Sequence, residues 1–185
     1  MSKFFFASDL HGDLSVTEAI LARYEAEGAE RLILLGDLLY HGPRNDLPSN
    51  YAPKKVIERL NAYRDHILAV RGNCDTEVDQ MVLTFPILAD YALLHVDGFS
   101  MFLTHGHHFS IDAPPALREG DCLVGGHTHI AGFTPFGNKN LYINPGSPSI
   151  PKENTAPSYL IYENGCFSLR DLSGKEYASY QWKTV

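Results

Sequence analysis

Cysteine is scarce in this chain: three in 185 residues, Cys74, Cys122 and Cys166, odd in number and set far apart. That pattern fits neither a disulfide framework nor a cysteine-based zinc site, and it suits a reducing cytoplasm. Long apolar runs are missing too, and no stretch approaches the ~20 residues that a membrane helix needs. The apolar start, Phe4-Phe5-Phe6 after Met1-Ser2-Lys3, is too short for a signal peptide and is followed by no small-residue cleavage site. Positive charge is in deficit, with 15 Lys and Arg against 22 Asp and Glu and a net charge of −7. An acidic surface disfavours nonspecific binding to nucleic acid or anionic membrane, so no stable nucleic-acid partner and no membrane are expected. An anionic substrate stays compatible with it, because bound metal ions reverse the sign locally. Linkers, repeats and low-complexity segments are absent, and the length suits a single domain over 1–185 better than two.

What the chain does have is histidine, nine of them, several clustered in the second half. The periodicities predict strands and helices in alternation, then strands alone. Lys3 to Ala7 reads as a buried strand. Ser15-Val16-Thr17-Glu18 has the form of a capping box that opens a helix running to Gly28. Arg31 to Leu35 is a second strand, Pro53 to Arg64 a second helix with proline early, and Ile67 to Val70 a third strand. Asp75 or Thr76 caps a short helix that ends near Leu83. Strands are then predicted at Tyr91–Val96, Ser100–Leu103, Cys122–Val124, Leu141–Asn144, Ser158–Tyr162, Cys166–Leu172 and Tyr177–Trp182. Asp97-Gly98 and Asn164-Gly165 serve as hairpin turns, and one short helix is expected near Pro114 to Leu117. Helices outside a sheet-rich core imply a layered sandwich of helices and sheets.

The polar residues fall in register with this pattern. Five apolar strands run directly into small polar clusters: Asp9-Leu10-His11-Gly12, Gly36-Asp37, Gly72-Asn73-Cys74-Asp75, Thr104-His105-Gly106-His107 and Gly125-Gly126-His127-Thr128-His129. Each cluster alone has an ordinary explanation as a turn, a cap or a solvated loop. Together they converge, because sites gather at the carboxyl ends of strands in helix-flanked sheets. Three oxygen donors (Asp9, Asp37, Asn73) and four imidazoles (His11, His105, His127, His129) form a mixed nitrogen and oxygen set. Such a set suits Mn²⁺, Fe²⁺, Co²⁺, Ni²⁺ or Zn²⁺ and is too rich in nitrogen for Ca²⁺ or Mg²⁺ alone. Seven donors exceed what one tetrahedral ion takes and match two ions that share a carboxylate. His66 and His95 lack such a context and are read as solvated or packing residues.

In this order the motifs resemble the calcineurin-like metallophosphoesterases. The match spans about residues 4 to 170. The absence of a cap domain, together with His41-Gly-Pro-Arg-Asn45 and Asn144-Pro-Gly-Ser147, is similar to the small bacterial and archaeal phosphodiesterase branch, to which the retromer scaffold subunit is related. The resemblance implies a four-layer αββα sandwich, two packed mixed β-sheets flanked by helices. It implies one metal on Asp9, His11, Asp37 and His129, another on Asp37, Asn73, His105 and His127, and Asp37 as the bridge. Mn²⁺ is the first expectation among the ions. The implied reaction is hydrolysis of a phosphate ester, a diester first and a monoester as the alternative, by a hydroxide held between two ions. The implied partner is a small phosphoester, with homo-oligomerisation left open. A scaffold that binds protein without metal would have no need of the seven donors.

One position departs from the family. Many members carry a histidine directly after the asparagine, where it assists the leaving group; here the residue is Cys74, whose neutral thiol is a weak donor. His107 is the substitute candidate for that role, and the alternative for Cys74 is a small residue tolerated beside the metals. Arg44, in a Gly-Pro-Arg-Asn loop just after Asp37, is a candidate to grip a phosphoryl oxygen through two hydrogen bonds. His41 is a further candidate on the substrate side.

Overall fold

The structure, a computed structural model, describes residues 2–182. The elements in chain order are β1 (Lys3–Ala7), α1 (Leu14–Glu27), β2 (Arg31–Leu34), α2 (Pro53–Asn61), β3 (Ile67–Ala69), α3 (Glu77–Val82), β4 (Tyr91–Val96) and β5 (Phe99–Thr104). β6 (Cys122–Val124), β7 (Gly132–Phe136), β8 (Asn140–Asn144), β9 (Ser158–Glu163), β10 (Cys166–Asp171) and β11 (Glu176–Gln181) follow. They form a six-stranded sheet, ordered β11-β10-β9-β1-β2-β3, and a five-stranded sheet, ordered β4-β5-β6-β8-β7. Both sheets are mixed. β1, β2 and β3 run parallel in the first, as do β5, β6 and β8 in the second, while the flanking strands are antiparallel.

Alternation along the strands builds two cores. Phe5 and Ala7 of β1, with Leu32 and Leu34 of β2, face α1 and α2 and pack with Ile20, Leu21, Val56 and Leu60. Their neighbours Phe4, Phe6 and Ile33 point the other way, against Met101, Leu103, Val124, Leu141 and Ile143 of the second sheet. A side-chain period of two thus buries both faces of β1, so its three phenylalanines serve two interfaces. The two-sheet sandwich expected from the sequence is present. On the outer face of the five-stranded sheet, Phe109 from irregular chain is set edge-on to Phe102 at 5.2 Å between ring centroids, while Tyr91 and Leu93 of β4 stay exposed.

Several local expectations are corrected. α1 is capped by Asp13, whose Oδ1 accepts from the Val16 backbone N–H at 3.1 Å and from the Ser15 hydroxyl at 2.6 Å. A carboxylate two residues upstream outcompetes the Ser15 capping box, and Glu18 instead meets Arg59 at 3.4 Å. Gly28 ends the helix in the left-handed conformation at φ 63°, as expected. α2 stops at Asn61, short of Arg64, because tighter bonds from Tyr63 N–H to Leu60 and from His66 N–H to Tyr63 turn the chain. Thr76, not Asp75, caps α3, in a capping box with Asp79. No helix forms at Pro114–Leu117, where a second proline directly follows the first and disfavours the helical conformation of the residue before it. β7 was not expected; Pro135 hides its strand pattern, and the strand lies at a sheet edge, where a missing N–H is tolerated. The two hairpin turns are as predicted, with Asp97, Gly98, Asn164 and Gly165 all at positive φ. Among the described residues no helix is long and apolar enough to cross a membrane.

Candidate metal centre

The parallel strands of both sheets deliver their C-terminal ends to one place. Asp9 and His11 follow β1, Asp37 follows β2, Asn73 follows β3, His105 follows β5, and His127 and His129 follow β6. Backbone bonds tie these ends together: Asp9 N–H donates to Gly36, His11 N–H to Asp37, and Gly126 N–H to His105. The polypeptide is held in uncommon conformations here. Asp9, His11, Asp37, His127 and His129 all have φ between 48° and 65°, half of the ten non-glycine residues at positive φ among the described residues. Such a concentration outside glycine marks a site whose geometry is fixed by its surroundings. Glycine permits the close approach. A Cβ on Gly126 would sit 1.9 Å from Ser8 Oγ and 2.6 Å from Asp9 Oδ2, and one on Gly72 would sit 2.1 Å from Asp37 Oδ1.

Three imidazoles are oriented by backbone carbonyls. His11 Nδ1 lies 2.8 Å from Tyr40 O, His105 Nδ1 2.7 Å from Leu35 O, and His129 Nδ1 2.7 Å from Ile150 O. A carbonyl only accepts, so each Nδ1 carries a proton and each ring turns its Nε2 toward the centre. His11 Nε2 and His129 Nε2 are then 3.3 Å apart. His105 Nε2 lies 3.1 Å from Asn73 Oδ1 and 3.2 Å from His127 Nδ1. Asp9 Oδ1, buried and without a hydrogen-bond partner, lies 3.2 Å from His129 Nε2, while Oδ2 accepts from the His127 N–H at 3.0 Å. Asp37 Oδ1 accepts from the Cys74 N–H at 2.8 Å, and Oδ2 lies 3.5 Å from His105 Nε2. Acceptors crowded against acceptors require positive charge between them. The donors of Asp9, His11 and His129, and those of Asp9, Asp37 and His105, each lie within 4.8 Å of one another, a spacing that could hold a cation.

The electrostatics match. Burial pushes the Asp9 carboxyl up, yet His105, His11 and His129 outweigh it and keep the group well below the usual carboxylate range. Asp37 behaves alike: burial opposes, and His105 lowers it. Burial likewise opposes protonation of His105, and Asp9 and Asp37 overcome it, raising the ring to about 9. A proton on His105 and a cation at this position would therefore compete.

Around the donors, Asp75 accepts from the N–H groups of Gly72, Asp37 and Leu38 at 2.7, 2.8 and 2.9 Å, locking two ligand loops together. Ser147 and Ser149 hydroxyls donate to Asp9 O at 2.9 and 2.8 Å, and Asn144 Nδ2 donates to Gly126 O at 2.8 Å. A cavity of about 360 Å³ opens over Asp37, Asn73, His127 and His129, and Arg44, Cys74 and Lys152 line it too. Arg44 and Lys152 are exposed and form no ion pair among the described residues. Lys152 gave no signal in the sequence; it lies on an irregular loop that is placed by its own N–H donating to His129 O at 3.1 Å. Cys74 is buried, and burial followed by the Asp37 charge pushes its thiol up to about 12. His107 does not line this cavity. Its ring packs 5.4 Å from His105 and 6.2 Å from His127, and burial followed by the neighbouring rings brings it down to about 4. His41 is wedged edge-on between Tyr40 and Tyr51.

Comparison with known proteins agrees with this architecture. Phosphodiesterase YfcE of Escherichia coli is 48% identical over 169 residues, 91% of each chain. A solved structure of that phosphoesterase has a TM-score of 0.94 at 46% identity and covers 98% of this chain and 100% of its own. Phosphodiesterase MJ0936 of Methanocaldococcus jannaschii is 30% identical over 147 residues, 75% of this chain and 80% of the relative. Residues 3–164 match the calcineurin-like phosphoesterase superfamily domain, and the chain belongs to that family.

Proposed function

We propose that the protein is a metal-dependent phosphodiesterase whose centre takes two divalent ions. Asp9, His11, Asp37 and His129 hold one, Asp37, Asn73, His105 and His127 hold the other, and Asp37 bridges. The observation that carries this reading is the set of ring nitrogens and carboxylate oxygens turned on one another, the 3.3 Å approach of His11 Nε2 and His129 Nε2 foremost. The mixed donor set admits Mn²⁺, Fe²⁺, Co²⁺, Ni²⁺ or Zn²⁺, and the family resemblance puts Mn²⁺ first among them. When bound, the ions supply Lewis acidity: they lower the pKa of water for attack on phosphorus and neutralise the phosphoryl oxygens.

The chain's own residues do the rest. The carbonyls of Tyr40, Leu35 and Ile150 keep three imidazoles in the ligating tautomer. Arg44 and Lys152, across the cavity, draw in the anionic ester and hold its phosphoryl oxygens against the centre. Cys74, with its proton firmly bound, gives the leaving oxygen little help, so esters of acidic alcohols are favoured. The two related phosphodiesterases support a diester over a monoester. The three cysteines, with no disulfide among the described residues, fit a reducing cytoplasm.

The test is hydrolysis of bis(p-nitrophenyl) phosphate and p-nitrophenyl phosphate by the metal-stripped protein after return of Mn²⁺, Zn²⁺, Co²⁺ or Ni²⁺, alongside elemental analysis. About two ions per chain and diester cleavage that is lost on chelation are expected. Activity indifferent to chelators, or a protein inert with every ion, would overturn the reading.

A further inference from the structure

A second cavity, of about 390 Å³, adjoins the first, and Cys74 lines both. Its character is different. Leu39, Tyr40, Tyr51, Ile57, Val78 and Val82 supply most of its wall. Only two charged side chains line it, Lys54 and Asp79, and they are opposite in sign. Tyr40, Val78 and Val82 are 42%, 68% and 43% exposed, so apolar surface that a folded chain normally buries is open to solvent beside the candidate centre. The two regions are linked covalently as well: the backbone oxygen of Tyr40 orients His11, while its side chain forms part of the apolar wall. Cys74 Sγ lies within 4.8 Å of the ligating atoms of both His11 and Asp37.

We infer that this cavity is a substrate subsite, which takes an uncharged aromatic group carried on the phosphorus held at the centre; the inference rests on the function proposed above. Three observations select that occupant. The space exceeds the about 150 Å³ that suffices for a benzene ring in a dry apolar cavity. The wall is apolar with two tyrosines, which suits a flat ring and offers no net charge to an ionic one. Cys74 is the residue that the linings of the two cavities share, and a thiol is small and apolar enough for a ring to pass across it. A histidine at that position would place a polar ring at the threshold, so Cys74 acquires a role in admitting the substituent.

The experiment compares inhibition of the Mn²⁺-loaded protein by phenylphosphonate and methylphosphonate, which share the metal-binding head and differ in the group offered to the cavity. The wild type should bind phenylphosphonate about tenfold more tightly, the order expected for burying a ring. Val78→Glu and Val82→Glu, both at exposed positions, should each reduce that ratio toward one while the methylphosphonate constant stays within about twofold. Equal binding of the two phosphonates by a wild type that hydrolyses bis(p-nitrophenyl) phosphate would overturn the subsite and leave the proposed function standing. A protein that hydrolyses no ester with any ion would remove both. A dimer that Val78→Glu dissociates, with the phosphonate ratio unchanged, would overturn the subsite in favour of an interface between copies of this chain.

Discussion

His11 and His129 point their Nε2 atoms at each other across 3.3 Å, and both rings donate their Nδ1–H to backbone carbonyls. Two Nε2 lone pairs at that distance repel, and an ion bound between them would relieve the repulsion. Metal should therefore stabilise the fold. Loading with Mn²⁺ should raise Tm by several degrees, and the rise should scale with free metal as mass action requires. Differential scanning calorimetry across a metal titration checks it, and a flat Tm at saturating metal would refute it.

Asp37 touches both halves of the centre. Asp37→Asn keeps the oxygen that accepts from Cys74 N–H and removes the charge between the two sites. Metal content should fall below two per chain, and kcat should drop by about 10²–10³ or more, with the circular dichroism spectrum intact. Elemental analysis and kinetics on one preparation decide it; unchanged stoichiometry would show that Asp37 does not bridge.

Protonation supplies the pH dependence. In the metal-free protein His105 is raised from 6.5 to about 9. A group raised on folding contributes stability that is complete below about pH 6.5 and disappears as pH rises through about 9. The metal-stripped protein should thus lose stability across that window, while Mn²⁺ affinity climbs as the proton leaves. Chemical denaturation with and without chelator, from pH 6 to 9.5, would reveal opposite slopes; parallel slopes would mean that His105 is not the competing group.

Arg44 meets the cavity without a carboxylate partner among the described residues. Arg44→Ala should lower kcat/KM about tenfold or more with metal content unchanged, and Arg44→Lys should restore only part, since the two-pronged grip is lost. Lys152→Ala should act in the same direction. Normal kinetics in both alanine variants would remove these cations from the substrate's path.

Cys74, with its thiol pushed up to about 12, is a weaker acid than the imidazole common in the family at this position. Aryl diesters should be cleaved readily and alkyl diesters slowly. Cys74→His should accelerate the poor leaving groups selectively, by at most the ~10²–10⁴ attributed to general acid catalysis. A leaving-group series at matched metal occupancy gives the answer, and identical slopes would show that position 74 delivers no proton. His107, lowered to about 4, is neutral near pH 7 and makes a poor substitute donor.

The strand-end clusters were legible in the sequence because each apolar strand stops at a polar residue and the fold gathers parallel strands by their C-terminal ends. What orients the cluster was not. The carbonyls of Tyr40, Leu35 and Ile150 are chemically alike in every residue, so no side chain advertises them. Lys152 lacked a motif, and its place depends on one backbone bond to His129. The start of α1 was misread because Asp13 and Ser15 are both good caps and only tertiary placement chooses between them. Pro135 concealed β7, since its cost vanishes at an edge. The apolar cavity was invisible for a related reason: Tyr40, Tyr51 and Val78 belong to three separate segments that meet only after folding.

The Asp9 carboxylate accepts from His127 N–H, and its carbonyl is held by Ser147 and Ser149, partners 118, 138 and 140 residues further along the chain. During synthesis Asp9 and His11 leave the ribosome long before these partners do. The complete cradle closes after the loop that carries Ser149 has emerged and the second sheet has docked. The surroundings of Asp9 are therefore completed only by residues from the far end of the chain, and an ion held there would report that nearly all of the sandwich is in place.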